Sequence, residues 1–131
     1  MAKKIFISYD YDSDKHWKNL LVAWDKNSAF DFSFYDSSVD VSVDSTDAAT
    51  IKRAISAKIS SASYFLCIIG KDTHKSAWVK WEIEKAVEKG KRIIAVKTDS
   101  GNTSPSAILG VGATWAMSFT FDSIKSAVDS A

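Results

Sequence analysis

The stretch Ser76-Ala77-Trp78-Val79-Lys80-Trp81-Glu82-Ile83-Glu84-Lys85-Ala86-Val87-Glu88-Lys89-Gly90 decides the fold prediction, because it carries the start, the apolar face and the end of one helix. Ser76 is a suitable N-cap, since its hydroxyl can accept a hydrogen bond from a free amide of the first turn. Gly90 suits the position just past the helix, where a left-handed backbone is common. The stretch therefore predicts an amphipathic helix between Ser76 and Gly90.

One carboxylate of this helix lies on the apolar face. Successive residues of a helix are rotated by about 100°, so Trp78 and Ala86 lie within about 40° of Glu82. Glu84 lies about 200° away from Glu82 by the same rotation and is expected to be solvated. A buried carboxylate without a partner is costly, so Glu82 requires a partner, a cleft or a chemical role.

Composition limits the classes of function. The 131 residues suffice for a single domain, 1–131, and the net charge of +1 with no basic run argues against a nucleic-acid or membrane partner. The apolar run at the N-terminus is too short for a signal peptide or a membrane span. The lone Cys67 lies in an apolar run and is expected to be a buried, reduced thiol, which favours a cytoplasmic location.

Apolar runs of strand length alternate with helical patterns along the chain. Residues 36–46, rich in Ser and Asp, are predicted to form a loop, with a short strand through Val39, Val41 and Val43 as the alternative. The first helix is expected to be capped by Ser13 or Asp14. The predicted strands are residues 5–8, 30–35, 64–69, 92–97 and 115–119, and the predicted helices are residues 15–26, 47–61, 76–90 and 121–131, with one helical turn at 106–109.

This alternation predicts an α/β fold: a flavodoxin-like doubly wound parallel sheet of five strands in the order 2-1-3-4-5. Ligands of such sheets bind beyond the carboxyl ends of the strands, at the switch between strands one and three. Residues 8–12, 36–39 and 70–73 and the start of the Trp78 helix are therefore expected around one crevice. Glu82 is one turn into that helix, at the edge of the crevice.

Two interpretations of Glu82 remain open on helix geometry alone. Its carboxylate can reach water or pair with Lys71 or Lys75, which would make it an ordinary surface charge. Alternatively, it lies in a cleft walled by Trp78, where it can bind sugar hydroxyls and stabilise a developing cation.

Other chemistries are poorly supported. Asp10, Asp12 and Asp14 follow the first strand, as the carboxylates of a phospho-receiver domain do. Such a domain also needs an Asp at the end of the third strand and a Lys at the end of the fifth. Here Asp72 lies beyond the end of the third strand, and no Lys lies near the fifth. Asp12 and Asp14 are therefore expected to be solvated. No His or Cys has metal-ligand spacing, Cys67 has no acid or base partner, and no glycine-rich phosphate loop follows the first strand.

Three segments carry a family resemblance: Ile5-Phe6-Ile7-Ser8-Tyr9, Tyr64-Phe65-Leu66-Cys67-Ile68-Ile69-Gly70, and Trp78-Val79-Lys80-Trp81-Glu82-Ile83. Together they make the chain resemble the TIR-like domains of the Thoeris antiphage defence family, over residues 4 to about 97. The spacing of Trp78 and Glu82, Trp-x-x-x-Glu, is the most diagnostic part.

The resemblance implies an NAD⁺ glycohydrolase or ADP-ribosyl cyclase that breaks the nicotinamide–ribose bond, with Glu82 as its catalytic residue. It implies a cyclic or modified ADP-ribose messenger, made upon phage infection and detected by a separate effector protein. NAD⁺ is then the substrate, no further cofactor or metal is expected, and the active form is expected to be a homo-oligomer. The residues expected to bind the substrate are Ser8, Tyr9, Asp10, Asp36, Ser38 and Trp78.

A non-catalytic TIR-like protein-interaction module is the alternative. The loop at residues 36–46 does not clearly match the self-association loop of larger TIR domains, and the 131 residues are expected to hold no appended oligomerisation or sensor domain.

Overall fold

The structure, a computed structural model, describes residues 3–35 and 41–131. Strands and helices alternate as predicted, and short 3₁₀ turns lie at Thr73–Lys75 and Ser106–Ile108. The strands are β1 (Lys3–Ser8), β2 (Phe30–Phe34), β3 (Tyr64–Ile69), β4 (Arg92–Lys97) and β5 (Thr114–Ala116), and the helices are α1 (Tyr11–Trp24), α2 (Ala48–Ser61), α3 (Ala77–Glu88) and α4 (Phe121–Ser130).

All strand pairs are parallel, in the order β2-β1-β3-β4-β5, which confirms the predicted flavodoxin-like topology. β3 lies between β1 and β4, and its last five residues are buried. A strand covered on both faces needs a continuous apolar run rather than an alternating one, as the sequence of β3 has.

The sheet separates two apolar layers. Side chains of β1 and β3 alternate between them: Ile5 and Ile7 pack with residues of α1 and α4, whereas Phe6 packs with residues of α2 and α3. The Phe6 and Phe65 rings stack with their centroids 5.8 Å apart. The two layers fix the positions of β1 and α3, the elements that carry Ser8 and Glu82.

Both predicted ends of α3 are confirmed. The Ser76 hydroxyl accepts a hydrogen bond from the Val79 amide at 3.2 Å. At the other end Gly90 has a φ of +70°, and the amides of Gly90 and Lys91 each donate at 3.0 Å, to the carbonyls of Val87 and Ala86. This pair of bonds is a Schellman motif, which requires the left-handed residue that glycine provides.

The predicted start of α1 is wrong. The helix begins at Tyr11 rather than Lys15, and the Asp14 amide donates to the Asp10 carbonyl at 2.7 Å. Asp10 is therefore the N-cap by position, without a side-chain capping bond, and neither Ser13 nor Asp14 has that role. The helix ends at Trp24 rather than residue 26, and the Asp25 carboxylate accepts hydrogen bonds from the amides of Ala29, just before β2, and Phe30, its first residue.

The fifth strand is shorter than predicted. β5 pairs with β4 only over Thr114–Ala116, and the predicted continuation to residue 119 is wrong. The chain leaves the sheet so that the Phe119 ring can pack against Trp17 and Trp24, at centroid distances of 4.8 and 5.4 Å.

Part of the loop after β2 can be assessed. Residues 36–40 lie outside the described residues, whereas residues 41–46 contain no strand or helix, in agreement with the loop interpretation. Within residues 3–35 and 41–131, no helix is long and apolar enough to cross a membrane.

Candidate active site

A cavity of about 280 Å³ opens at the carboxyl ends of the strands, where the topology predicts a ligand. Residues following β1 and β2, residues preceding α3 and residues of α3 itself form its wall. The described lining residues are Tyr9, Asp10, Tyr11, Asp12, Tyr35, Asp72, Lys75, Ser76, Trp78 and Glu82.

Glu82 lies at this cavity and is only 5% exposed, which confirms its predicted place on the apolar face of α3. The Ser8 hydroxyl at the end of β1 donates a hydrogen bond to its Oε1 at 2.7 Å. No cation of the described residues forms an ion pair with Glu82, and Lys75 lies instead 3.6 Å from Asp72 Oδ1. The surface-charge interpretation with Lys71 or Lys75 is therefore wrong.

Burial controls the protonation of Glu82. Loss of hydration raises its pKa from an ordinary value of 4.5 to about 8, while the hydrogen bond from Ser8 acts in the opposite direction. In the ligand-free protein at neutral pH the Glu82 carboxyl is therefore mainly protonated. A cation entering the cavity would favour the ionised form.

Aromatic rings flank this carboxyl. Trp78 lies one turn before Glu82, and its indole N–H donates to the Val41 carbonyl at 2.8 Å. Its ring meets Trp81 edge to face, with the centroids 6.0 Å apart. Tyr9 is 7% exposed, and its buried hydroxyl has no hydrogen-bond partner among the described residues. These two rings give the cavity apolar walls around an ionisable group.

The remaining charge of the cavity is mostly acidic. Asp10, Asp12 and Asp72 line it together with Glu82. Burial raises the pKa of Asp10, and repulsion from Asp12 and Asp72 adds to this effect. Carboxylates close enough to raise the pKa of Asp10 make the cavity favourable to a cation.

Asp14 is not solvated, contrary to the sequence prediction. Its side chain is buried, and its Oδ2 accepts a hydrogen bond from the Thr73 hydroxyl at 2.8 Å. The Gly70 amide donates to the same Thr73 oxygen at 2.7 Å. A Cβ on Gly70 would overlap the Asp14 carboxylate, so any other residue there requires this carboxylate to move. This arrangement, the Asp14–Thr73–Gly70 cluster, fastens α1 to the segment between β3 and α3.

The structure brings most of the predicted site residues together. Tyr9, Asp10, Trp78 and Glu82 line one cavity. Ser8 is 1% exposed and directs its hydroxyl to Glu82, so direct contact of Ser8 with a substrate stays a prediction. Asp36 and Ser38 lie outside the described residues.

The sequence reasoning missed part of the wall. Tyr35 follows β2 immediately and lines the cavity, and the rule that ligands bind at the carboxyl ends of strands could have identified it. Lys75 lies between β3 and α3 and was expected only as a partner of Glu82, whereas Asp72 and Ser76 fall within the segments that were expected around the crevice. Thr73 gave no signal, because its partner Asp14 is 59 positions away.

Within the described residues, neither Cys67 nor any cluster of potential metal ligands forms a second reactive site. Cys67 is buried on β3, and loss of hydration raises the pKa of its thiol, so it is unreactive. No group of three or more His, Cys, Asp or Glu residues in that part of the chain could hold a metal ion.

Comparison with known proteins gives the family. The chain matches the family model "Thoeris protein ThsB, TIR-like domain" over residues 6–103. It is similar to a Bacillus cereus (strain MSX-D12) protein named "Putative cyclic ADP-D-ribose synthase ThsB1", with 29% identity over 105 residues. That match covers 73% of this chain and 52% of the relative, so the chain spans about half the length of the curated relative.

Solved structures share the fold. The CMP N-glycosidase BcmB of Clostridium botulinum has a TM-score of 0.65 at 14% identity, over 97% of this chain and 99% of that chain. A 2-deoxyribosyltransferase of Bacillus psychrosaccharolyticus has a TM-score of 0.60 at 18% identity, over 88% and 87% of the two chains. These identities establish similarity of fold alone. By the family match over residues 6–103, the chain belongs to the TIR-like domains of the Thoeris protein ThsB family.

Proposed function

We propose that this domain cleaves NAD⁺ at the nicotinamide–ribose bond, as an NAD⁺ glycohydrolase or ADP-ribosyl cyclase. The observation that carries the proposal is the Glu82 carboxyl, which is buried and lies at the cavity without a cationic partner among the described residues. Membership of the ThsB family and the name of the Bacillus cereus relative support the same reaction class.

Cleavage of the nicotinamide–ribose bond can be catalysed by one carboxylate placed beside the ribose. The C–N bond breaks, and its electron pair goes to the ring nitrogen, so that neutral nicotinamide leaves and the positive charge moves to the ribose as an oxocarbenium-like cation. Ionised Glu82 would stabilise that charge and orient the ribose hydroxyls. Water then adds to the cation and loses a proton, or a nucleophile of the same molecule closes a ring. Walls such as Trp78 and Tyr9 would favour ring closure by excluding water.

The raised pKa of Glu82 suits this role. A pyridinium placed beside Glu82 favours the ionised carboxyl by charge attraction, so substrate binding itself would prepare the group that stabilises the transition state. Ser8 would hold the carboxylate in place through its 2.7 Å hydrogen bond.

We further propose that the product is a cyclic or modified ADP-ribose messenger in Thoeris-type antiphage defence, detected by a separate effector protein. Assembly into homo-oligomers when active belongs to the same proposal. The family match and the name of the relative support it.

The test is nicotinamide release from NAD⁺ by concentrated protein, followed by chromatography. The Glu82→Gln variant should release nicotinamide about 100-fold more slowly or worse, because it loses the charge that stabilises the cation. Glu84→Gln is the matched control, since Glu84 is exposed on the same helix. Equal release by wild type and Glu82→Gln would refute the role assigned to Glu82.

A non-catalytic interaction module is the second candidate. Its supporting observation is that three large apolar side chains are exposed: Leu109 is 56%, Met117 49% and Trp115 36% exposed. Thermal unfolding with millimolar NAD⁺ or ADP-ribose separates the two candidates: an unchanged melting temperature favours the module, and a raised one favours the enzyme.

A further inference from the structure

The helix α2 carries positive charge that nothing nearby neutralises. It contains Lys52, Arg53 and Lys58 and no Asp or Glu. None of these three cations forms an ion pair with any residue in the ranges 3–35 and 41–131. On the other side of the sheet, α4 contains two Asp and one Lys, and Lys125 pairs there with Asp129 at 2.9 Å. A net charge of +1 for the whole chain is therefore compatible with a positive surface on one layer of helices.

An aromatic ring lies beside these cations, where α2 meets α3. The ammonium of Lys52 lies 5.6 Å from the centroid of the Trp81 ring, and the ammonium of Lys85 lies 5.5 Å from the same centroid. Trp81 belongs to α3 and is half-buried. Lys85 also pairs with Glu88 at 2.9 Å, whereas Lys52 has no carboxylate partner in the described part of the chain. We call Lys52, Arg53, Trp81 and Lys85 the α2–α3 surface.

The rest of the exposed side of α2 is small and lacks apolar anchors. Ala49, Ala57 and Ser60 are exposed, and none of the large apolar side chains that are exposed lies on α2. A partner can therefore approach the cations closely. Peripheral membrane binding relies on large apolar side chains that enter the lipid, and α2 has none to offer.

The neighbouring groups indicate which kind of anion fits. A nucleic-acid strand binds through a row of cations and through bases stacked on aromatic rings. Here two ammonium groups already lie over the Trp81 ring, and Glu84 and Glu88 are exposed on α3 beside the cations. The carboxylates of a polypeptide can instead pair one by one with separate cations. Tryptophan and arginine are also the residues that most often dominate binding between proteins.

We propose that the α2–α3 surface binds an acidic polypeptide segment, whose carboxylates pair with Lys52 and Arg53 beside the Trp81 ring. The proposal does not depend on cleavage of NAD⁺, because none of the four residues of this surface is among the described lining residues of the cavity. α3 carries both Trp81 and Glu82, so the partner would contact the helix that forms part of the cavity wall.

Binding of a labelled oligoglutamate peptide to the wild-type protein tests this. An oligoglutamine peptide of the same length is the neutral control, and an oligothymidylate of equal charge presents phosphates instead of carboxylates. Fluorescence anisotropy at low salt should show the oligoglutamate binding about ten-fold more tightly than either control, and added salt should weaken its binding. Equal or tighter binding of either control, or no binding of the oligoglutamate at millimolar concentration, would overturn the proposal.

Charge reversal locates the contact. Lys52→Glu combined with Arg53→Glu should weaken oligoglutamate binding about ten-fold or more. The matched control combines Lys26→Glu with Lys125→Glu, which changes the net charge equally at two exposed positions beside one groove on the other side of the sheet. Equal loss in the two double variants would indicate a general effect of net charge and contradict a local surface.

Replacement of the ring tests its part without changing any charge. Trp81→Leu should weaken oligoglutamate binding about three-fold, because the ring positions the Lys52 ammonium. Unchanged affinity in a variant that thermal unfolding shows to be folded would contradict a surface centred on Trp81.

A second copy of the chain is the other possible occupant of this surface. In sedimentation, the wild-type protein and the variant with Lys52→Glu and Arg53→Glu should have the same mass. A larger mass for wild type would assign the surface to a second copy and overturn the proposal.

Discussion

Replacing Glu82 by Gln should stabilise the folded protein, and the gain should grow with pH. The pKa of Glu82 is raised from 4.5 to about 8 in the folded protein, chiefly by burial. The folded state therefore binds the Glu82 proton more tightly than the unfolded chain does, so this residue lowers the free energy of unfolding as the pH rises from about 4.5 to about 8. Gln keeps the size of the side chain and an oxygen that can accept from Ser8, but it cannot ionise.

The magnitude follows from the two pKa values. Each pH unit between them corresponds to about 1.36 kcal/mol, so the full effect is roughly 5 kcal/mol, of which roughly 4 kcal/mol falls between pH 5 and pH 9. Domains of this kind are stable by about 5 to 15 kcal/mol, so the effect is a large fraction of the total. Asp10 and Asp14 also have raised pKa values, but they titrate in both proteins, so the comparison largely removes their contribution.

Urea unfolding followed by tryptophan fluorescence, at several values between pH 5 and pH 9, measures the difference in stability. The free energy of unfolding of Glu82→Gln minus that of wild type should rise along this series. Glu84→Gln is the control, and its difference should stay flat, because Glu84 is exposed. A difference for Glu82→Gln that changes by less than about 1 kcal/mol would refute the claim that burial controls this carboxyl.

Three further predictions concern groups around the cavity. Nicotinamide release should rise with pH as Glu82 ionises. Ser8→Ala removes the hydrogen bond that lowers the pKa of Glu82, so the midpoint of this rise should shift to a pH higher by about one unit or more. Thr73→Val leaves the buried Asp14 carboxylate and the Gly70 amide without their shared partner, and chemical unfolding should show a loss of about 2 to 3 kcal/mol. Gly70→Ala places a methyl group on the Asp14 carboxylate and should lower the free energy of unfolding by about 1 to 3 kcal/mol.

Each of these has an internal check. Thr73→Ser retains the hydroxyl and should recover most of the stability that Thr73→Val loses, so equal losses would contradict the hydrogen-bond explanation. Combining Gly70→Ala with Asp14→Ala should cost less than the separate changes together, because the added methyl group then has room. An unchanged pH profile in Ser8→Ala would show that the hydroxyl of Ser8 does not tune Glu82.

The sequence was sufficient wherever a residue's environment depends on its own neighbours in the chain. β3 and β4 have the predicted bounds, because strands covered on both faces are continuous apolar runs. Ser63 and Gly70 bound the run of β3, and Arg92 and Lys97 bound that of β4. The position of Glu82 followed from helix rotation alone, and its burial confirms it. For the same reason, the two caps of α3 were readable from Ser76 and Gly90.

The prediction failed where a side chain depends on a distant partner. Asp14 lies in a turn-rich segment of the sequence, yet its side chain is buried by its contact with Thr73, which follows β3 and lies 59 positions further along the chain. The hydrogen bond from Ser8 to Glu82 joins residues 74 positions apart, and no spacing rule predicts that pair. The start of α1 was missed for a related reason: its first turn reads as polar loop, and its N-cap, Asp10, uses no side-chain bond.

The hydrogen bond that holds the Trp78 ring links the aromatic wall of the cavity to the backbone of the loop after β2. The indole N–H binds the carbonyl of Val41, a main-chain atom, rather than a side chain. The orientation of the ring beside Glu82 therefore depends on the path of the backbone at residue 41 and is independent of the amino acid there. Replacing the Val41 side chain should therefore leave the Trp78 ring in place, whereas a change in the backbone path at residue 41 should move the aromatic wall of the cavity.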